Sequence, residues 1–87
     1  MSENDRLLGK QIAAGRVLAG LSQSELAAAA KISIPTLRRM EATAGPSSGY
    51  VNNVAAVRRA LESSGIVFVQ ENGDGPGVRL RKRHPTG

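Results

Sequence analysis

Two adjacent arginines, Arg38 and Arg39, with Ile34, Pro35 and Thr36 just before them, are the densest candidate for chemistry in the sequence. That chemistry is recognition. A guanidinium fork forms two parallel hydrogen bonds with guanine O6 and N7, worth roughly 1–3 kcal/mol of discrimination against a wrong base. Ile34 or Pro35 could meet a thymine methyl group. Ser22, Gln23 and Ser33 are candidates for phosphate oxygens, because polar side chains and free amides in the first turn of a helix hold phosphate together; such contacts position a protein without reading sequence. By itself an Arg-Arg pair is more often a solvated helix face than a base reader, so its meaning depends on the elements that carry it.

Those elements read as follows. Between residues 5 and about 20, Leu8, Ile12 and Ala19, with the small Gly15 among them, recur at spacings of three and four, the stripe of a helix facing a core. Ser22 followed by Glu25 makes an S-x-x-E capping box and starts a short second helix at Gln23 that runs to about Ala30. Ser33 starts a third over residues 33–42, with Pro35 in its first turn, where a missing N–H costs nothing, and with Leu37 and Met40 inward. Residues 44–49 (AGPSSG) are loop. Val54, Val57 and Leu61 predict a fourth helix over residues 50 to about 64, stopped by Gly65. The run IVFV at 66–69, the turn NGDGPG at 72–77 and the alternating VRLR at 78–81 predict a β-hairpin. Ile66, Phe68, Val78 and Leu80 are its apolar members. A lone hairpin is marginal in water, so it should pack on the helices or pair with its copy in a second subunit. The fold class is therefore mainly α: residues 5–64 form a four-helix domain, 65–82 a C-terminal hairpin offered as the dimerisation element, and 83–87 a basic tail.

Two short helices joined by a turn of two or three residues cross steeply, and Ala27 and Ala30 permit the close approach. In a helix-turn-helix the second of the pair enters the major groove while the first spans the backbone. Composition agrees with such a partner. Twelve Lys and Arg against seven Asp and Glu give a formal charge of +5 and a pI near 10.8, which favours a polyanion. In 87 residues the only aromatics are Tyr50 and Phe68, so the core must be thin and closely packed, and a second chain is expected to help complete it. There is no cysteine, no apolar run of transmembrane length, and no basic start of the kind a signal peptide has; the expected location is cytoplasmic, with no membrane partner.

Enzymatic readings fare poorly. His84 is the only histidine and lies in the C-terminal tail, expected to be frayed, so neither a Ser-His-acid triad nor a histidine metal site is expected. The glycines at 73, 75 and 77 lack the Lys-Ser/Thr ending of a phosphate loop, and Asp74 lacks the spacing of a calcium loop. No catalytic residue, cofactor or metal is expected.

The stretch LSQSELAAAAKISIPTLRRME, residues 21–41, resembles the helix-turn-helix of the Cro and phage-repressor-like family, also called the XRE family. The likeness lies in the Leu-Ser-Gln-x-Glu-Leu-Ala opening, the small Ala30, the Ile32-Ser33 pair, Thr36 and the closing Arg39-Met40-Glu41, and with the flanking helices it covers roughly residues 7–64. The resemblance implies double-stranded DNA as partner, bound as a homodimer. It also implies a structural salt bridge between Arg16 and Glu41, and a grip on the DNA backbone near the start of the fourth helix, at Asn52 and Asn53. Lys31 departs from the family, which usually carries glycine there. A lysine in a left-handed turn costs about 1 kcal/mol, strain it can repay by reaching a phosphate. Ile34 and Pro35 stand where polar base readers are usual, which shifts the expected readout towards Arg38, Arg39 and DNA shape. The competing expectation is a protein-interaction module, an antiactivator or antitoxin-like domain with a regulatory protein partner, that keeps the fold.

Overall fold

The computed structural model describes residues 7–43, 51–70 and 73–81. Four helices, α1 (Gly9–Ala19), α2 (Gln23–Ala30), α3 (Ile34–Ala42) and α4 (Val51–Ser63), are followed by an antiparallel hairpin of β1 (Ile66–Val69) and β2 (Gly77–Leu80). The loop ahead of α4, the hairpin residues 71 and 72, and the tail with His84 lie outside the described residues.

Local chemistry explains the boundaries. Ser22 Oγ accepts from Glu25 N (3.0 Å) while Glu25 Oε1 accepts from Ser22 N (2.8 Å), so both partners of the capping box are engaged. Ser33 caps α3 through Thr36 N (3.2 Å), and Pro35 sits in the first turn. The helix α1 starts later than its periodicity predicts. Leu8 is extended rather than helical, its N–H donates to Gln11 Oε1 (2.9 Å), and Leu7 turns into the core at 4% exposure. The ends of α1 and α2 close in the same way: Leu21 N donates to Arg16 O and Ile32 N to Ala27 O, each at 3.0 Å, across a left-handed residue. In α1 that residue is Gly20 (φ 76°), in α2 it is Lys31 (φ 60°).

The core is built from Ile12, Leu26, Leu37, Met40, Val54, Val57, Leu61 and Ile66, each under 2% or at 2% exposed. Every helix and the hairpin contribute to it. Ala27 and Ala30 are buried where α2 packs on its neighbours. Glycine supplies two closer approaches. At Gly15 an added Cβ would lie 3.3 Å from Ile66 Cγ2 and 3.7 Å from Phe68 Cε1, so the hairpin rests directly on α1. At Gly9 it would collide with the carbonyl oxygens of Met40 and Thr43, so the start of α1 abuts the end of α3 backbone to backbone. The hairpin is also fastened by the buried Gln11, whose Nε2 donates to Val69 O (3.3 Å) and Gly77 O (3.1 Å). A single amide group thus ties the turn end of both strands, the Val69–Gly77 pair, to α1.

The Gly9 contact is testable. Backbone carbonyls cannot move aside as a side-chain tip can, so Gly9→Ala should destabilise the chain by roughly 2–3 kcal/mol, the scale of an overpacked site. Urea unfolding measures this, and an unchanged midpoint would refute the close approach.

Candidate nucleic-acid interface

Leu37 and Met40 point inward at 0% and 2% exposure, and this fixes which face of α3 is presented outward. Pro35, Arg38 and Arg39 are exposed on it, with Ile34 and Thr36 half-buried at its start. Ile34 packs against the edge of the core, which leaves only part of its side chain to meet another molecule. Thr36 is drawn into the cap, where Ser33 Oγ donates to Thr36 Oγ1 (2.8 Å). Ser22 and Ser33 are exposed at the starts of α2 and α3, each with its hydroxyl accepting from its own helix. Lys31 is exposed in the turn between these two helices, and Asn52 and Asn53 lie in the first turn of α4, exposed and half-buried respectively.

Behind this face lies an ion pair. Arg16 Nε donates to Glu41 Oε2 (2.7 Å) and Arg16 Nη2 to Glu41 Oε1 (3.2 Å), with side-chain exposures of 18% and 7%. Arg16 Nη1 also donates to Leu21 O (3.0 Å), so the same guanidinium holds the connection between α1 and α2. Gln23, expected as a phosphate ligand, is also engaged within the protein. It is half-buried, its Nε2 donates to Glu41 Oε1 (3.0 Å), and its Oε1 accepts from Arg38 Nε (3.3 Å). Its carboxamide oxygen and one of its two N–H donors are thus engaged inside the protein.

The electrostatic result is one-sided. Glu41, the one acid in α3, is neutralised by Arg16, and on α4 Glu62 pairs with Arg58 (3.1 Å), which also stacks over Phe68 with 5.2 Å to the ring centroid. Among the described residues no carboxylate pairs with Arg38, Arg39 or Lys31. The outer face of α3 and the turn before it therefore carry positive charge with no carboxylate partner, next to the α3 N-terminus, which favours an anion there; at the α2 N-terminus the Glu25 carboxylate already occupies the first turn.

The residues assigned to dimerisation divide. Register places Ile66 opposite Leu80 and Phe68 opposite Val78, so all four share one face of the hairpin. That face covers the chain's own helices: Ile66 is 1% and Phe68 8% exposed, and Val78 is half-buried against the same core. Ile66 and Phe68 are thus filled from within, because Gly15 lets the hairpin settle on α1. Leu80 remains 49% exposed, with Val17 (66%) and Leu18 (45%) on α1 as further apolar surface that periodicity did not single out. No known protein-family model matches the chain, and no curated protein matches it.

Two stability predictions follow from this geometry. Glu41→Ala should cost about 3 kcal/mol, since it leaves a largely buried guanidinium without its counter-charge; Arg16→Met in that background should cost much less than it does alone, as a double-mutant cycle by denaturant unfolding would record. Lys31→Gly should stabilise the chain by up to about 1 kcal/mol by relieving the left-handed lysine, and a lowered melting temperature would contradict that account.

Proposed function

We propose that the chain is a sequence-specific regulator of transcription that binds double-stranded DNA as a homodimer, with α3 as its recognition helix, and that it belongs with the Cro and phage-repressor-like helix-turn-helix proteins. The observation that carries this reading is the pairing state of the charges. A helix whose inner face is locked by Leu37, Met40 and the Arg16–Glu41 pair exposes two adjacent arginines with no carboxylate partner among the described residues. A solvated surface helix gains from interspersed acids and bases, and the outer face of α3 has bases without an acid. In this reading Arg38 and Arg39 read bases, Ile34 and Pro35 offer apolar contact, Thr36 stands at the edge of the groove, and Ser22, Ser33, Lys31, Asn52 and Asn53 meet phosphates. Such a protein works in the cytoplasm, at the nucleoid.

For a dimer, Leu80 with Leu18 is the better apolar candidate, since Ile66 and Phe68 are occupied within each subunit. Two recognition helices on one DNA face require half-sites about 10 base pairs, or ~34 Å, apart.

Selection from a random duplex pool, repeated at two salt concentrations, tests the reading. A two-fold symmetric site should be enriched, and affinity should fall with a log–log salt slope near −7, as about eight phosphate contacts per dimer require. The double variant Arg38→Ala/Arg39→Ala should lose at least ~30-fold in affinity for that site, from two base-reading arginines each worth ~1–3 kcal/mol. Salt-sensitive binding with no enriched site would mean generic charge and defeat the proposal in favour of a protein partner.

A further inference from the structure

We propose that Gln23 is a specificity-determining positioning residue, which transmits the fixed position of the Arg16–Glu41 ion pair to the guanidinium of Arg38 and so sets how that arginine is presented to a base. The inference rests on the DNA-reading function proposed above and adds to it a residue that touches no base.

Gln23 is the first residue of α2, and its carboxamide spans one turn of α3 between Arg38 and Glu41. The amide has one possible orientation. Its NH2 group must face the Glu41 carboxylate and its oxygen the Arg38 Nε–H, because the flipped amide would set oxygen against oxygen and N–H against N–H. Glu41 is itself immobile, since it is 7% exposed and accepts from Arg16 Nε, Arg16 Nη2 and Gln23 Nε2. The chain of contacts therefore runs from α1 through α3 and α2 back to an exposed side chain of α3.

The chemical consequence concerns which fork of Arg38 remains. With Nε held by Gln23, the side-on Nε/Nη fork is occupied and the end-on pair of Nη groups of this exposed side chain is left for bidentate bonding to guanine O6 and N7. A tethered arginine also loses less rotamer freedom on binding than a free one. Among the described residues the Arg39 guanidinium makes no hydrogen bond or ion pair and lacks this preparation; what Arg39 contributes beyond the helix's own bonds is its backbone carbonyl, which accepts from Thr43 Oγ1 (3.0 Å). Two neighbouring residues of one type are thus unequal, and the base pair read by Arg38 should be the more strictly specified.

The test uses the full chain and the Gln23→Met variant, which keeps side-chain length and removes both hydrogen bonds. The base pair read by Arg38 is first identified as the operator position whose preference disappears in Arg38→Ala. Gln23→Met should reduce discrimination at that position roughly tenfold, the size of coupling expected between contacting polar side chains, and leave discrimination at the other positions, affinity for unrelated duplex and the salt slope unchanged. In an Arg38→Ala background it should cause no further loss. A uniform weakening across all sequences with a shallower salt slope would make Gln23 a phosphate contact and overturn the inference, as would intact discrimination. Nitrogen-15 relaxation of the arginine Nε–H groups in the free wild-type protein gives a reading that needs neither the variant nor DNA: Arg38 should be markedly more ordered than Arg39, and equal mobility would overturn the clamp. A wild-type chain that enriches no site overturns the DNA-reading function and this inference with it; a wild type that enriches one beside a Gln23→Met chain of equal selectivity overturns the inference alone.

Discussion

The carboxylate of Glu41 is the point on which the helical part of the fold turns. An ionised group at 7% exposure is tolerable only when its lone pairs are met, and three donors from two other helices meet them. Arg16 brings α1 to it, Gln23 brings α2, and Glu41 is part of α3 itself. Arg16 lies in the last turn of α1, where a cation is also favoured by the helix dipole, and its remaining donor holds Leu21 O at the entry to α2. Apolar packing alone is non-directional and would leave α3 free to rotate by small angles about its axis. A charge-assisted fork is directional, so it fixes the rotation that decides which residues α3 shows to the outside.

A core with so little aromatic volume needs its elements close together, and small residues provide this at each contact. Gly9 lets α1 touch the carbonyl end of α3, Gly15 lets the hairpin lie on α1, and Ala27 with Ala30 lets α2 meet its neighbours. Close approach exposes backbone polar groups to one another, and Gln11 resolves the instance at the hairpin by donating to a carbonyl of each strand. The hairpin thereby becomes part of the same unit as the helices, and two of its apolar side chains, Ile66 and Phe68, are unavailable to any second subunit.

What was legible in the sequence was local. The caps at Ser22 and Ser33 act over three residues, and their bonding is as the S-x-x-E pattern and the serine before Ile34 predict. The left-handed backbone at Lys31 is likewise set by its immediate neighbours, since the closure from Ile32 N to Ala27 O demands it whatever residue stands there. The period-two alternation of the hairpin identified the face formed by Ile66, Phe68, Val78 and Leu80, and the register agrees. It could not say whether that face met the chain's own helices or a copy. The signal that decides it is Gly15, and it lies half a chain away. Gln11 and Gln23 read as polar residues on helix surfaces; their partners are 58 and 66 residues distant in the first case, 18 and 15 in the second. An isolated glycine within a helical stretch was the one sequence clue to the contact at Gly9. The Arg16–Glu41 pair was legible only through family resemblance, since nothing in composition or spacing pairs those two residues.

These separations bear on how a binding surface is made from a small domain. The positive charge of the chain alone would give a diffuse attraction for any polyanion. Selectivity needs charges held in fixed places, and fixed places need acids removed from competition without being removed from the protein. Glu41 and Glu62 are both engaged, by Arg16 and Arg58, on the sides of their helices that face other elements or the next turn. Arg58 is further occupied by the Phe68 ring. The cations left facing outward on α3 and its preceding turn are Arg38, Arg39 and Lys31, and they differ in their constraint: Lys31 sits on a strained backbone, Arg38 is held at its Nε by Gln23, and Arg39 is held by neither. The three charges therefore differ in their freedom although all three are exposed. The constraint on Arg38 comes from behind the surface, through the same carboxylate that fixes α3.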